Sequence, residues 1–267
     1  MKRVFKYIKN MFKVLIWPIL FMIGQFLIQY IFVAVFNNKE QGNLSNSEFL
    51  AYIKTEEYIN KLSNYINSKT LIIIFLTMII FVPIFYKIYN KYKKENGFKL
   101  KNIFIPVTFG ITISLIYNIT LYNLNNVLHF TNIFELSELP IIVQLISSGI
   151  CGPILEELIF RGIVYNKLKT FNKPMTAIIL TSVIFGIIHN NIINAIYAFG
   201  VSFILIYLYE KYKTLKAPIL MHIFLNSTIV LMLPLILKDY LVFNLYLLIV
   251  SILILLVLKM FIKEEKV

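Results

Sequence analysis

Residues 141–164 read Ile-Ile-Val-Gln-Leu-Ile-Ser-Ser-Gly-Ile-Cys-Gly-Pro-Ile-Leu-Glu-Glu-Leu-Ile-Phe-Arg-Gly-Ile-Val. Inside this apolar run stand two adjacent carboxylates, Glu156 and Glu157, and one arginine, Arg161. A charge at membrane depth costs about 2.5–3.5 kcal/mol on insertion scales, so such residues persist mainly where they have a role. The reading of the chain turns on which partners they have.

Outward from that run, apolar segments of about 20 residues recur, each long enough to cross a hydrocarbon core of roughly 30 Å. Of the 267 residues, 59% are hydrophobic, too many for a soluble domain. The expected fold is all-α, a polytopic membrane protein of about eight transmembrane helices enclosing a polar intramembrane cavity. The net charge is +13, yet the lysines cluster between apolar segments. That pattern points to anionic lipid headgroups and not to nucleic acid. A single cysteine, Cys151, excludes an internal disulfide and a thiolate metal cluster. The basic N-terminus precedes an apolar run that is too long for a signal peptide, so an uncleaved first span is expected.

The expected spans are 14–36, 70–89, 103–123, 141–168, 174–189, 193–210, 217–237 and 241–260. A polar segment, Asn37 to Lys69, separates the first two. Lysine and arginine concentrate at the N-terminus, in alternate loops and at the C-terminus, which predicts both termini in the cytoplasm. Two regions are expected. Residues 1–102 form a two-helix membrane region with a polar extracytoplasmic loop, and 103–267 form the membrane-embedded helical core.

Glu156 and Glu157 are the acids deepest in an apolar run. Asp239 is the only aspartate and falls in a loop, which excludes a paired-aspartate protease. Of three histidines, His129 lies at a span end and reads as incidental, His189 closes the fifth span and His222 lies in the seventh. Glu157 and Arg161 are four apart, so they share a helix face and can pair. Glu156 is rotated about 100° away and points elsewhere. Phe185 with His189, and His222 with Asn226, are also four apart. One free carboxylate, two imidazoles and one amide suit hydrolysis of a peptide bond. Glu156 would be the general base for water, His189 would orient that water, and His222 with Asn226 would donate to an oxyanion. This scheme uses no cofactor. A divalent metal such as zinc on Glu156, His189 and His222 is the alternative use of the same residues, and no residue pattern separates the two schemes. The plainer readings are a structural ion network for Glu156, Glu157 and Arg161, and an interhelical clasp for His222 and Asn226. Gly149, Gly152 and Gly162 read as close-packing positions. Ser147, Ser148, Ser202 and Ser227 lack the context of a nucleophilic serine.

The ordered set Glu156-Glu157…Arg161, Phe185…His189 and His222…Asn226 resembles the signature of the CAAX-protease and bacteriocin-processing (CPBP, or Abi) family of intramembrane proteases. The resemblance covers about residues 140–235. It implies an eight-helix membrane endopeptidase with Glu156 as catalytic base, His189 as its assistant in activating water, His222 and Asn226 as oxyanion hole, and Glu157, Arg161 and Phe185 in support. It further implies a peptide or membrane-protein substrate, in bacteria associated with bacteriocin processing or immunity. The lysine- and asparagine-rich composition is similar to that of bacterial proteins and points to the plasma membrane. A non-catalytic immunity or chaperone-like protein on the same fold, and a proton-coupled transporter, are the competing readings.

Helix lengths set one condition. Counted from their loops at about 1.5 Å per residue, Glu156 and His222 fall toward the inner face and His189 toward the outer. The fifth helix is therefore expected to enter the membrane late, with Asn190, Asn191 and Asn194 in a water-filled cavity.

Overall fold

The computed structural model describes residues 2–93, 97–128, 138–189, 191–238 and 241–264. His129, Asn190 and Asp239 lie outside the described residues. In chain order the helices are α1 (Lys2–Gln41), α2 (Asn46–Tyr52), α3 (Glu56–Tyr89), α4 (Phe104–Leu128), α5 (Ile141–Lys169), α6 (Pro174–Ile187), α7 (Ile192–Tyr212), α8 (Lys216–Ile236) and α9 (Leu241–Glu264). No strand occurs among the described residues. The chain is an all-α polytopic membrane protein.

Helices occupy all eight expected positions, and among the described residues six are long and apolar enough to cross a membrane: α1, α3, α4, α5, α7 and α8. Helix α6 has 14 residues. At 1.5 Å per residue it reaches about 21 Å, short of a hydrocarbon core of about 30 Å. The polar segment 37–69 is largely helical and not a loop. Ser45 and Glu48 form a reciprocal capping box that starts α2. Thr55 caps α3, whose first turn carries Glu56 and Glu57 at the favourable end of the helix dipole. Phe36 of α1 packs on Tyr58 and Tyr65 of α3, extending both helices beyond their apolar runs.

Helix α5 is the centre. Leu155, Ile159, Ile163, Val164 and Leu168 are at most 1% exposed; a helix that is apolar all round is buried all round. Helices α1, α3, α6 and α8 pack against it. Phe85 and Tyr89 of α3 join the same buried cluster as Leu155 and Ile159. Two π-helical stretches, Leu145–Cys151 and Phe160–Tyr165, bracket the segment that carries the two glutamates. Wide turns of this kind leave main-chain carbonyls to be satisfied and often mark functional sites. Asn166 Nδ2 donates to the carbonyls of Arg161 and Gly162 at 2.9 and 3.1 Å.

Two features of the bundle bear on how Glu156, His189 and His222 come together. Helix α5, at 29 residues and about 43 Å, is longer than the hydrocarbon core is thick, and α6 follows it after a short turn. In the hairpin they form, the Phe160 and Phe185 rings meet edge-on at 5.0 Å. One turn beyond these two residues stand Glu156 and His189, which places them at the same level. The start of α8, in contrast, is sunk into the bundle. Leu215, just before it, is buried, and a Cβ on Gly162 would sit 3.4 Å from the Leu215 side chain. Six residues of α8 therefore suffice to bring His222 level with Glu157.

Helix α4 lies along α8 with its backbone close at Gly110, where an added Cβ would collide with main-chain atoms of Met221 and Leu225. Overpacking of this kind costs typically 1–3 kcal/mol. Gly110→Val is expected to destabilise the protein by about 2 kcal/mol, read as a lowered unfolding midpoint in detergent. Gly200→Ala, in a helix interior where nothing lies within 4 Å of the new methyl, should not lower the midpoint and is expected to raise it slightly.

Candidate active site

Glu157 and Arg161 are both 0% exposed, and Arg161 Nη1 donates to Glu157 Oε1 at 2.7 Å. Two ions taken out of water require further partners, and three other helices supply them. Arg161 Nη2 donates to Ser202 Oγ of α7 at 3.0 Å. Its guanidinium lies 4.4 Å above the Phe185 ring of α6, a cation–π contact. His222 Nδ1 of α8 sits 2.8 Å from the same Glu157 oxygen. Glu157 Oε2 and Arg161 Nε have no partner among the described residues.

A carboxylate salt-bridged to a guanidinium is an acceptor only. Nδ1 of His222 must then carry the proton, which leaves Nε2 as the ring's variable position. Nε2 faces the second carboxylate, 3.7 Å from Glu156 Oε2. That gap exceeds a direct hydrogen bond and suits a bridging water. His222 thus stands between the two glutamates, tied to one and facing the other.

His189 closes α6. Its Nδ1 lies 2.8 Å from the Phe185 carbonyl, so it donates there and leaves Nε2 as an acceptor. The Phe185 ring meets His189 at 5.1 Å and His222 at 6.0 Å, both edge-on. Phe185 is therefore the platform against which the guanidinium and both imidazoles are set. Asn226 Nδ2 donates to the Ser148 carbonyl, within the first π stretch, at 3.0 Å.

Two cavities flank the site. One, of about 310 Å³, is lined by His189, His222, Asn226, Ser148, Asn194 and Tyr197, among others. The other, of about 610 Å³, lies between α1, α3 and α5 and has Glu156 on its wall. A single cavity was expected to hold all four residues. Instead Glu156 turns toward α1 and His222 closes the gap. The cause is helical phase: the residue beside a fully buried Glu157 must face a different neighbour. Asn194 lines the smaller cavity as expected, and Asn191 caps α7 by accepting from the Asn194 N–H at 2.8 Å.

Among the described residues no three His, Cys, Asp or Glu side chains converge closely enough to hold a metal ion. His189 and His222 share the smaller cavity, while Glu156 lines the larger one and approaches His222 Nε2 at 3.7 Å. Several site members escape the signature. Ser202 was set aside as a nucleophile and proves to be an arginine ligand; Asn166 carries no local signal beyond being polar in an apolar run.

The bundle defines a class: a multi-pass membrane protein whose central helix carries a buried Glu–Arg pair beside a second, accessible glutamate, with two histidines delivered by later helices. Residues 138–228 match the family model for type II CAAX prenyl endopeptidase Rce1-like proteins. A Bacillus subtilis protein named "Putative membrane peptidase YdiL" is 36% identical over 90 residues, covering 34% of this chain and 37% of that protein. The Lactococcus lactis UPF0177 protein YaiF is 30% identical over 168 residues, 59% of this chain and 75% of its own length. A second Lactococcus lactis protein, UPF0177 protein YaiH, is 29% identical over 187 residues, 64% and 77%. No solved structure matches. The chain belongs to the Rce1-like, CAAX-protease and bacteriocin-processing family.

Glu157→Gln leaves the Arg161 charge buried and unpaired. Breaking a buried pair in this way costs about 3–5 kcal/mol, which should show as a large drop in unfolding midpoint. Glu156 is 28% exposed and bonded to no cation other than by its approach to His222. Its change to Gln should shift stability by no more than about 0.5–1 kcal/mol. Equal losses in the two variants would contradict this division of labour.

Proposed function

We propose that this protein is an intramembrane endopeptidase that hydrolyses peptide bonds of membrane-associated substrates with water activated by Glu156. The observation that carries the reading is the placing of His222, whose Nδ1 is held at 2.8 Å by buried Glu157 while its Nε2 faces Glu156 at 3.7 Å. A water in that gap has a carboxylate to take its proton. Its oxygen attacks the substrate carbonyl, and the carbonyl π electrons move onto oxygen. Protonated His222, with the Glu157 carboxylate behind it, donates from Nε2 to the oxyanion. Asn226 has one N–H on Ser148 and a second for the same role. As the C–N bond breaks, Glu156 returns the proton to the leaving nitrogen. The low-dielectric bundle strengthens each of these interactions.

The Rce1-like match and the peptidase name of the Bacillus relative support a protease over a transporter. Both lines of relatives are bacterial. With the lysine bias of alternate loops, they favour a plasma-membrane protein with cytoplasmic termini and a role in bacteriocin processing or immunity. Lipid and a peptide or membrane-protein substrate are the partners of this reading; nucleic acid is not. A non-catalytic immunity or chaperone-like protein would keep the Glu157–Arg161 pair for folding alone, and the test separates the two.

Glu156→Gln is expected to lower cleavage of membrane-anchored substrates by about 10²-fold or more, the range of a lost general base, with the fold intact. His222→Ala should act alike. Undiminished cleavage by Glu156→Gln would overturn the proposal. A chelator arm addresses metal dependence: the water-and-glutamate reading expects unchanged turnover, and restoration of chelated protein by zinc would contradict it.

A further inference from the structure

Helix α1 lies outside the region matched by the family model, residues 138–228. Its apolar run from Val14 to Phe36 holds two amide side chains, Gln25 and Gln29. They are four apart, on one face, and both line the 610 Å³ cavity together with Glu156. Neither amide has a hydrogen-bond partner among the described residues. An unpaired amide facing hydrocarbon is costly, and in a bilayer polar groups must find partners within the protein or in a cavity. Two such amides in one cavity, opposite the proposed base, call for an occupant with both donors and acceptors.

The lining narrows the choice. It includes no lysine or arginine to hold a phosphate, and Glu156 would repel one. A polypeptide main chain fits better. Residues four apart on a helix are about 6 Å apart along its axis. Main-chain groups of residues two apart in an extended chain repeat on one side at about 6.7 Å. A glutamine offers both a donor and an acceptor, so each can pair an N–H and a C=O. Only an unwound segment has such groups to offer, because in a helix they are already paired.

We propose that the cavity between α1, α3 and α5 is the substrate site, and that Gln25 and Gln29 hydrogen-bond the main chain of a locally unwound, membrane-embedded polypeptide, holding it against Glu156. This rests on the reading of Glu156 as the hydrolytic base. It gives α1 a part in selecting substrates whose membrane segment unwinds readily over substrates that stay helical.

The test uses the full chain in liposomes and two fluorescent peptides of about 20 residues, long enough to span the bilayer. One is a Leu/Ala helix with a central Gly-Gly pair, the other the same helix with Leu-Leu in its place. Binding is read in the Glu156→Gln background and turnover in the native one. The pair Gln25→Leu and Gln29→Leu should weaken binding of the Gly-Gly peptide roughly tenfold, the loss expected from a few neutral hydrogen bonds. Michaelis constants should rise by the same factor with turnover numbers little changed. Gln25→Asn with Gln29→Asn, which keeps both amides, should recover part of the loss at equal thermal stability. Gln-dependent binding without cleavage would sink the protease reading and leave this site standing. Cleavage that ignores the leucine pair would do the reverse. Unchanged binding with slowed turnover, meaning that the amides serve water, would overturn the inference. So would equal binding of the two peptides, or binding of neither.

Discussion

The buried ion pair between Glu157 and Arg161 is the constraint on which the rest of the bundle depends. Replacing such a pair with apolar residues is often neutral or stabilising, so stability does not account for it. Its effect is to specify neighbours. The guanidinium needs a hydroxyl and takes Ser202 from α7, and it needs a face and takes Phe185 from α6. The carboxylate needs a second donor and takes His222 from α8. Three helices are thereby fixed in depth and rotation about α5. A slip of one residue in any of them would strand a charge in the core.

Once those helices are docked, the remaining groups have little freedom. His222 cannot reach Glu157 with Nδ1 without turning Nε2 to Glu156. His189, one turn beyond Phe185, is brought to the edge of the same ring that supports the guanidinium. The site is built on a helix too short to cross the membrane and on another whose start, at Leu215, is packed inside the bundle. Such ends leave polar main chain at depth, and the smaller cavity, with Asn194 on its wall, is where that polarity collects. The π stretches serve the same end, since their widened turns free the carbonyls taken by Asn166 and Asn226.

Much of this was legible in the chain itself. Each of the eight apolar runs coincides with a helix, because a buried or spanning helix leaves its length in the hydropathy. Helical phase separated Glu157 from Glu156, because positions four apart must share a face. Other features were hidden for physical reasons. The extensions of α1 and α3 into the polar segment rest on caps and on the Phe36–Tyr58 contact, which hydropathy does not register. The length of α6 and the sunken start of α8 depend on packing around Gly162, and only those depths decide which nitrogen of His222 meets which carboxylate. Hydropathy likewise gives no sign that Gln25 and Gln29 of α1 line the same cavity as Glu156.

The central claim is that buried Glu157 fixes the tautomer of His222 and so presents Nε2 to Glu156. With three histidines in the chain, ¹⁵N labelling of the imidazoles and NMR in bilayers reads the claim directly, with His222→Ala to assign the signal. The account predicts a His222 ring protonated at Nδ1, and loss of that preference in Glu157→Gln. A His222 protonated at Nε2 with a bare Nδ1, unaffected by the Glu157 substitution, would contradict it.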